Sequence, residues 1–112
     1  MTMTFEQTFK AMKKYFSKKS FKKFGDGVFS YEFDVTGEGE GIFYIEVKDG
    51  AVDIQPFDYR NALCTFRVSS DNLRRILERT LAPTEAYSSG RLAVFGDVSA
   101  AFRLADALDM SL

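Results

Sequence analysis

The chain has 112 residues, of which 46% are hydrophobic and 28% are charged, a composition typical of a single globular domain. It contains no histidine and one cysteine, Cys64, which excludes an internal disulfide and removes the commonest general base of enzymes. The net charge of -1 is unevenly distributed, since residues 1–25 carry seven lysines and one glutamate and the remainder is acidic. We therefore expect one domain, residues 1–112, with an electrostatically polarised surface.

An amphipathic helix is predicted near the start of the chain. Apolar residues recur at helical spacing from Phe5 to Phe16. Thr4 and Gln7 have the spacing of a capping box, so we expect the helix to begin near Phe5 and to end within residues 17–20.

A basic cluster lies largely off the apolar face of this helix and continues beyond it. Its members are Lys13, Lys14, Lys18, Lys19, Lys22 and Lys23. One interpretation is a solvated helix face. The other is docking to an anionic membrane surface, where each basic residue contributes about 1 kcal/mol. Nucleic acid is not expected as a partner, because the rest of the chain is acidic.

Four consecutive strands are predicted after the helix, and short turns between them favour an antiparallel meander. Apolar and polar side chains alternate along each strand, and Asp49-Gly50 provides a hairpin turn. Cys64 lies in the fourth strand, where we expect a buried structural thiol rather than a nucleophile. The strands are expected at residues 29–35, 43–48, 52–54 and 62–68.

The glycine-rich stretch TGEGEG, residues 36–41, separates the first two of these strands. Phosphate-binding glycine loops join a strand to a helix N-terminus, whereas this stretch joins two strands. Glu38 and Glu40 would also repel a phosphate. We interpret the stretch as a hairpin turn.

Beyond residue 68 the periodicity of apolar residues changes from that of a strand to that of a helix. A helix is predicted over residues 70–81 with Ser69 or Ser70 as its N-cap. Pro83 opens a short helical turn, and residues 91–95 form a fifth strand. Asp97 is the expected N-cap of a last helix.

Several local patterns, taken in order, resemble the sterol carrier protein 2 family of small lipid-binding domains. The stretch FDVTGEGEGIFYIEVKDG looks like the first hairpin of that family, and ALCTFRVSSDNLRRIL looks like its strand leading into a helix. The stretch LAPTEAYSSGRLAVFGD resembles its C-terminal series of motifs. The resemblance covers roughly residues 5–110.

This resemblance implies an α/β (α+β) fold: a five-stranded, mainly antiparallel sheet covered on one face by helices, with an apolar tunnel between sheet and helices. It also implies a non-catalytic carrier, without cofactor or metal, for a long-chain fatty acid, fatty acyl-CoA, sterol or phospholipid. Candidate wall residues lie on apolar helix faces and on the inner face of the sheet: Phe33, Val35, Ile45, Val47, Phe66, Leu73, Ile76, Leu77, Leu81, Tyr87, Leu92, Phe102, Leu104 and Leu108.

Two alternatives to a carrier remain at this point. The same fold, its tunnel filled by its own aromatic rings, would be an interaction or dimerisation module. An enzyme is disfavoured, because no acidic residue lies in an apolar pattern that would raise its pKa.

No stretch of the sequence has the apolar length of a leader or a membrane span, so we expect a cytoplasmic protein, either a monomer or a homodimer.

Overall fold

The computed structural model of the chain describes residues 4–107. The helices are α1 (Phe5–Ser17), α2 (Ser70–Leu77), α3 (Pro83–Ser88) and α4 (Val98–Ala107), and a single 3-10 turn spans Lys22–Phe24. The strands are β1 (Val28–Thr36), β2 (Gly41–Lys48), β3 (Ala51–Gln55), β4 (Cys64–Ser69) and β5 (Leu92–Gly96).

The five strands form one sheet in the order β3-β2-β1-β4-β5. All neighbours are antiparallel except β1 and β4, which run parallel with Tyr31 opposite Cys64 and Phe33 opposite Phe66. The predicted meander is therefore wrong for β4, which pairs with β1 instead of β3. Side-chain alternation specifies the face that a residue occupies, but it does not specify which strand lies alongside. The mainly antiparallel sheet itself is confirmed.

The segment that carries the chain from β3 to β4 crosses the outer face of the sheet, away from the helices. The Tyr59 backbone N–H donates to Glu32 Oε2 at 2.9 Å, and the Tyr59 hydroxyl donates to Glu46 Oε2 at 2.7 Å. The Leu63 N–H donates to Ser30 Oγ at 3.0 Å at the entry to β4. Through these bonds, the side chains of Glu32, Glu46 and Ser30 have hydrogen-bond partners within the protein.

The first helix packs against the β2 side of the inner sheet face. The predicted capping box is confirmed: Thr4 Oγ1 accepts from the Gln7 N–H at 3.2 Å, and the Thr4 N–H donates to Gln7 Oε1 at 2.9 Å. The Phe9 ring lies 6.0 Å from that of Phe43 on β2, in an edge-to-face arrangement. The Phe5 ring covers Gly41, where any side chain would occupy the same space.

The second helix is shorter than predicted, ending at Leu77 instead of residue 81. Arg79 adopts a left-handed φ of 62°, and the Thr80 N–H donates to the Arg75 carbonyl at 2.9 Å. This arrangement closes the helix in the manner of a Schellman turn, with arginine at a position that glycine usually occupies. Leu81 then lies beyond the helix, where it is buried.

Candidate functional site

An apolar cavity of about 200 Å³ lies between the inner face of the sheet and the helices. It lies over β1, β4 and β5, and residues of all four helices line it. Apolar side chains provide almost all of its wall, and no charged side chain among residues 4–107 lines it. The lining residues are Met12, Phe16, Phe33, Phe66, Val68, Leu73, Ile76, Leu77, Pro83, Thr84, Tyr87, Leu92, Val94, Val98, Ala101, Phe102, Leu104 and Ala105.

Aromatic rings form part of the cavity wall. Phe16 of α1, Phe33 of β1 and Phe66 of β4 all line it and are all buried. The Phe33 ring centroid lies 6.4 Å from that of Phe16 and 4.9 Å from that of Phe66. Phe33 also stacks at 4.8 Å on Phe43, which does not line the cavity. This part of the wall is therefore a packed group of rings.

The outer end of the cavity opens between α3 and α4. Tyr87 is 58% exposed, Val98 is 52% exposed and Phe102 is 56% exposed, and all three also line the cavity. Thr84 adds a hydroxyl-bearing side chain to this rim. Large apolar side chains that border an opening and face solvent are typical of binding sites for apolar ligands.

The first turn of α4 is fixed to the sheet by polar contacts. The buried Tyr31 hydroxyl donates to the Ala100 carbonyl at 2.7 Å, and burial raises the pKa of Tyr31. The predicted N-cap is confirmed in its geometry, since Asp97 Oδ1 accepts from the backbone N–H of Ser99 at 2.9 Å. Hydrogen bonds from Ser99 lower the pKa of Asp97. The Asp97 N–H in turn donates to the Leu63 carbonyl at 2.8 Å, which ties the helix to the start of β4.

A cation–π contact places the basic 3-10 turn beside α4. The Arg103 guanidinium lies 4.9 Å from the ring centroid of Phe29 and 6.0 Å from that of Phe24. Phe24 is the last residue of the turn that contains Lys22 and Lys23. The turn therefore adjoins the helix whose residues Val98 and Phe102 border the opening.

Nine of the fourteen residues predicted for the wall line the cavity. Val35, Ile45 and Val47 are buried on the inner sheet face but lie outside it, as does Leu81. The two β2 residues lie on the side of the sheet that α1 covers, which explains their position. Leu108 lies outside the described residues. The nine predicted residues that line the cavity are Phe33, Phe66, Leu73, Ile76, Leu77, Tyr87, Leu92, Phe102 and Leu104.

Sequence reasoning missed a further nine lining residues. Met12 and Phe16 had been assigned to the apolar face of α1, but their contact with the cavity depends on helix docking. Alternation along β4 and β5 places Val68 and Val94 on the same inward face as the predicted wall residues Phe66 and Leu92. Helical spacing places Ala101 and Ala105 on the apolar face of α4, but it does not indicate that they border a cavity. The missed residues are Met12, Phe16, Val68, Pro83, Thr84, Val94, Val98, Ala101 and Ala105.

The predicted basic cluster lies on α1 and on the segment that follows it. Five of its lysines are exposed, and Lys19 is half-buried with its ammonium group 5.3 Å from the Tyr15 ring centroid. Within residues 4–107 the six lysines form no ion pair, whereas the neighbouring Lys10 pairs with Glu6 at 3.4 Å. Their charge is therefore not neutralised by carboxylates of the described part of the chain.

Cys64 is buried beneath the sheet's inner face, as predicted. Burial raises the pKa of Cys64 to about 11, and the nearby Asp97 carboxylate acts in the same direction. A thiol with this pKa is a poor nucleophile near neutral pH.

Among the described residues there is no group of three or more potential ligands placed to hold a metal ion. None of the helices within residues 4–107 has the length and apolar character needed to cross a bilayer.

Comparisons with known proteins identify relatives of this chain. The family model described as the SCP-2 sterol transfer family matches residues 5–109. Sterol carrier protein 2 of Oryctolagus cuniculus is 27% identical over 84 residues, which cover 74% of this chain and 15% of that protein. The chain thus spans about 15% of the length of this curated relative.

Two solved structures share the fold. Sterol Carrier Protein 2 Like 2 from Aedes aegypti is 25% identical, with a TM-score of 0.53 and 72% of each chain covered. A double mutant of the sec-alkyl sulfatase PisA1 is 16% identical, with a TM-score of 0.72, and the match covers 84% of this chain and 15% of that one. The fold thus occurs both in small carrier-like chains and within a much longer chain.

Proposed function

Because this chain belongs to the SCP-2 sterol transfer family, we propose that it is a non-catalytic protein that binds a lipid in the cavity between sheet and helices. The observation that carries this proposal is the cavity itself. Its wall is almost wholly apolar, the described part of the chain contributes no charged side chain to it, and it opens to solvent between α3 and α4. The ligand classes of the family, fatty acids, fatty acyl-CoA, sterols and phospholipids, define the first candidates.

Burial of an alkyl chain supplies the binding energy. Each methylene transferred from water to an apolar site contributes about 0.8 kcal/mol. A bilayer offers the chain a similar gain, so a carrier needs an apolar wall rather than a strong polar anchor. The rings of Phe16, Phe33 and Phe66 and the aliphatic side chains of α2 and α4 provide such a wall.

The groups around the cavity favour binding without catalysis. Among residues 4–107, the hydroxyl-bearing lining residues are Thr84 and Tyr87, which lie at the rim. Cys64 is outside the lining, and burial raises its pKa to about 11. A general base or an activated nucleophile facing the cavity is absent from the described residues, which supports a binding role over an enzymatic one.

We further propose that the basic cluster docks the protein on an anionic membrane. Its lysines lack ion pairs within residues 4–107, and Arg103 holds the turn containing Lys22 and Lys23 against α4. A surface that carries this turn and the exposed rim of α4 presents basic and apolar groups to the same membrane. Docking in this orientation would bring the cavity opening close to lipid.

Native mass spectrometry tests the lipid-binding proposal. The purified chain is measured before and after solvent extraction, and any released compound is identified. A stoichiometric lipid that extraction removes supports the carrier. An unchanged apo mass after addition of fatty acids and acyl-CoA thioesters of several lengths would contradict it and favour the interaction module with a self-filled interior.

Vesicle co-sedimentation tests the docking proposal. Loss of about 1 kcal/mol for each neutralised lysine predicts that Lys22→Gln with Lys23→Gln weakens binding to phosphatidylserine-containing vesicles about 30-fold. The matched control, Lys48→Gln with Arg60→Gln, removes the same charge from exposed positions outside the cluster. Equal loss in both double variants, or equal binding to neutral and anionic vesicles, would contradict a localised docking surface.

A further inference from the structure

Three large apolar side chains at the cavity opening form an exposed patch. Val98 and Phe102 lie one helical turn apart on α4, and Tyr87 borders the same opening from α3. Each of these residues is more than half exposed, and we call the three together the rim patch. A partner that covers the rim patch removes apolar area from water, which favours association by about 25 cal/mol for each Å².

The helix that carries most of the rim patch also adjoins the basic cluster. Arg103 follows Phe102 on α4, and its guanidinium lies 6.0 Å from the Phe24 ring centroid. Phe24 ends the 3-10 turn that contains Lys22 and Lys23, which are both exposed. Exposed apolar and basic groups therefore flank the same helix, an arrangement typical of elements that bind at the surface of an anionic membrane.

The outer face of the sheet has the opposite charge. Its outward positions on β1, β2 and β3 carry four carboxylates and one lysine, and these are Glu32, Asp34, Glu46, Asp53 and Lys48. An anionic bilayer repels this face and attracts the basic cluster. The attraction comes from the lysines of the cluster and not from α4 itself, because Asp97 and Asp106 offset Arg103 there.

We infer that the rim patch inserts into the boundary between headgroups and acyl chains of an anionic bilayer while the basic cluster binds the bilayer surface. This inference rests on the proposed docking and lipid binding, and it identifies the residues that enter the membrane. Tyr87 suits the boundary because its ring is apolar and its hydroxyl is polar. With Val98 and Phe102 among acyl chains, the cavity opens directly into the bilayer, and a lipid moves between them without crossing water.

Tryptophan fluorescence tests the insertion, because the chain contains no tryptophan of its own. Phe102→Trp introduces an indole in the rim patch, and Phe95→Trp introduces one at a similarly exposed position on the outer face of the sheet. Each variant is mixed with vesicles of phosphatidylcholine and phosphatidylserine, with or without bromine on the acyl chains. The emission of Phe102→Trp should shift to shorter wavelength and be quenched by the brominated chains, whereas that of Phe95→Trp should do neither.

Several outcomes of this experiment would overturn the insertion. Vesicle binding with equal quenching of both variants, or with no quenching of either, would leave docking through the basic cluster without insertion of the rim patch. A concentration-dependent shift of Phe102→Trp emission in the absence of vesicles would assign the patch to contact with a second copy of the chain. An absence of vesicle binding would overturn the docking proposal as well, whereas lipid binding is decided separately by native mass spectrometry.

A brominated lipid held in the cavity is the remaining source of quenching, because Phe102 also lines the cavity. The vesicles are therefore pelleted and the protein left in the supernatant is measured. Insertion predicts that the quenching is confined to the vesicle-bound protein. Quenching that is as strong in the supernatant as on the vesicles would overturn insertion and support lipid binding.

Removal of the exposed ring tests its contribution to membrane affinity. Phe102 is 56% exposed, so roughly 100 Å² of a side chain of about 200 Å² is available for insertion. Complete insertion of this area is worth roughly 70-fold in partitioning, and Phe102→Ser should weaken co-sedimentation with the same anionic vesicles at least about tenfold.

The matched control is Phe95→Ser, which removes a similarly exposed ring from the outer face and should change vesicle binding less than about twofold. If Phe102→Ser does not fold by its NMR dispersion, Val98→Ser replaces it. Equal loss of binding in the rim variant and the control, or unchanged binding of the rim variant, would overturn the insertion.

Discussion

Replacement of Ala101 by leucine should separate ligand binding from stability. Ala101 lies on α4 and lines the cavity, where it is half-buried. Leucine adds an isopropyl group that takes about 90 Å³ at about 30 Å³ per carbon. This group would occupy part of the cavity.

The lost space translates into a specific loss of affinity. The isopropyl group displaces roughly the room of three methylenes, and each is worth about fourfold in affinity, so the dissociation constant for octanoate should rise about 60-fold. The unliganded protein should become more stable by about 0.5–2 kcal/mol, because the added group fills space that lacks contacts. Most core substitutions that weaken function also destabilise, so gain of stability with loss of binding is diagnostic.

The measurements are NMR titration with octanoate and urea unfolding, both compared with wild type. Ala93→Leu provides the matched control, because Ala93 lies on β5 opposite Arg67 on the outer face of the sheet. That variant should retain wild-type affinity. A folded Ala101→Leu protein that binds octanoate within about threefold of wild type would refute the reasoning, and Ala105→Leu repeats the test at a second lining position.

Three further predictions concern the framework around the cavity. Tyr31→Phe removes the 2.7 Å hydrogen bond to α4 and should cost about 1 kcal/mol in urea unfolding; an unchanged unfolding midpoint would argue against this anchor. Gly96 has a φ of 100°, and a Cβ there would collide with the Leu63 carbonyl, so Gly96→Ala should destabilise at least twice as much as Gly37→Ala, whose site is open and which should cost about 1 kcal/mol. Burial raises the pKa of Cys64 from 9.0 to about 11, so the stability due to its protonated thiol is fully present below about pH 9 and is lost as the pH rises through about 11. The difference in unfolding free energy between wild type and Cys64→Ala should follow this window, and a pH-independent difference would contradict it.

The elements of the fold were largely accessible from the sequence because they depend on local patterns. The capping box at Thr4 and Gln7, the Asp49-Gly50 turn and the cap at Asp97 are all short-range features, and all are present. The end of α2 was not accessible. Arg79 adopts a left-handed conformation that its residue type does not favour, so the surrounding hydrogen bonds determine it.

The position of the cavity depended on strand order, which local patterns do not contain. Alternation correctly placed Phe33, Ile45 and Phe66 on the inner face of the sheet. Whether an inward residue meets α1 or the cavity depends on which strand lies next to which. Once β4 is placed beside β1, Phe66 lies at the cavity and Ile45 does not. The sequence therefore predicted the correct face of the sheet for these residues, but it did not predict which of them lie at the cavity.

The parallel pairing of β1 with β4 divides the cavity wall between two stretches of chain. Met12, Phe16 and Phe33 precede the crossover segment, and every other lining residue follows it. Cleavage within the exposed part of that segment, near Phe57, would yield two fragments that share one hydrophobic interior. A lipid bound in the cavity would contact both fragments, so by mass action it would promote their reassembly. Such a ligand would act as a third component of the core, and a split form of the protein would then report lipid through complementation.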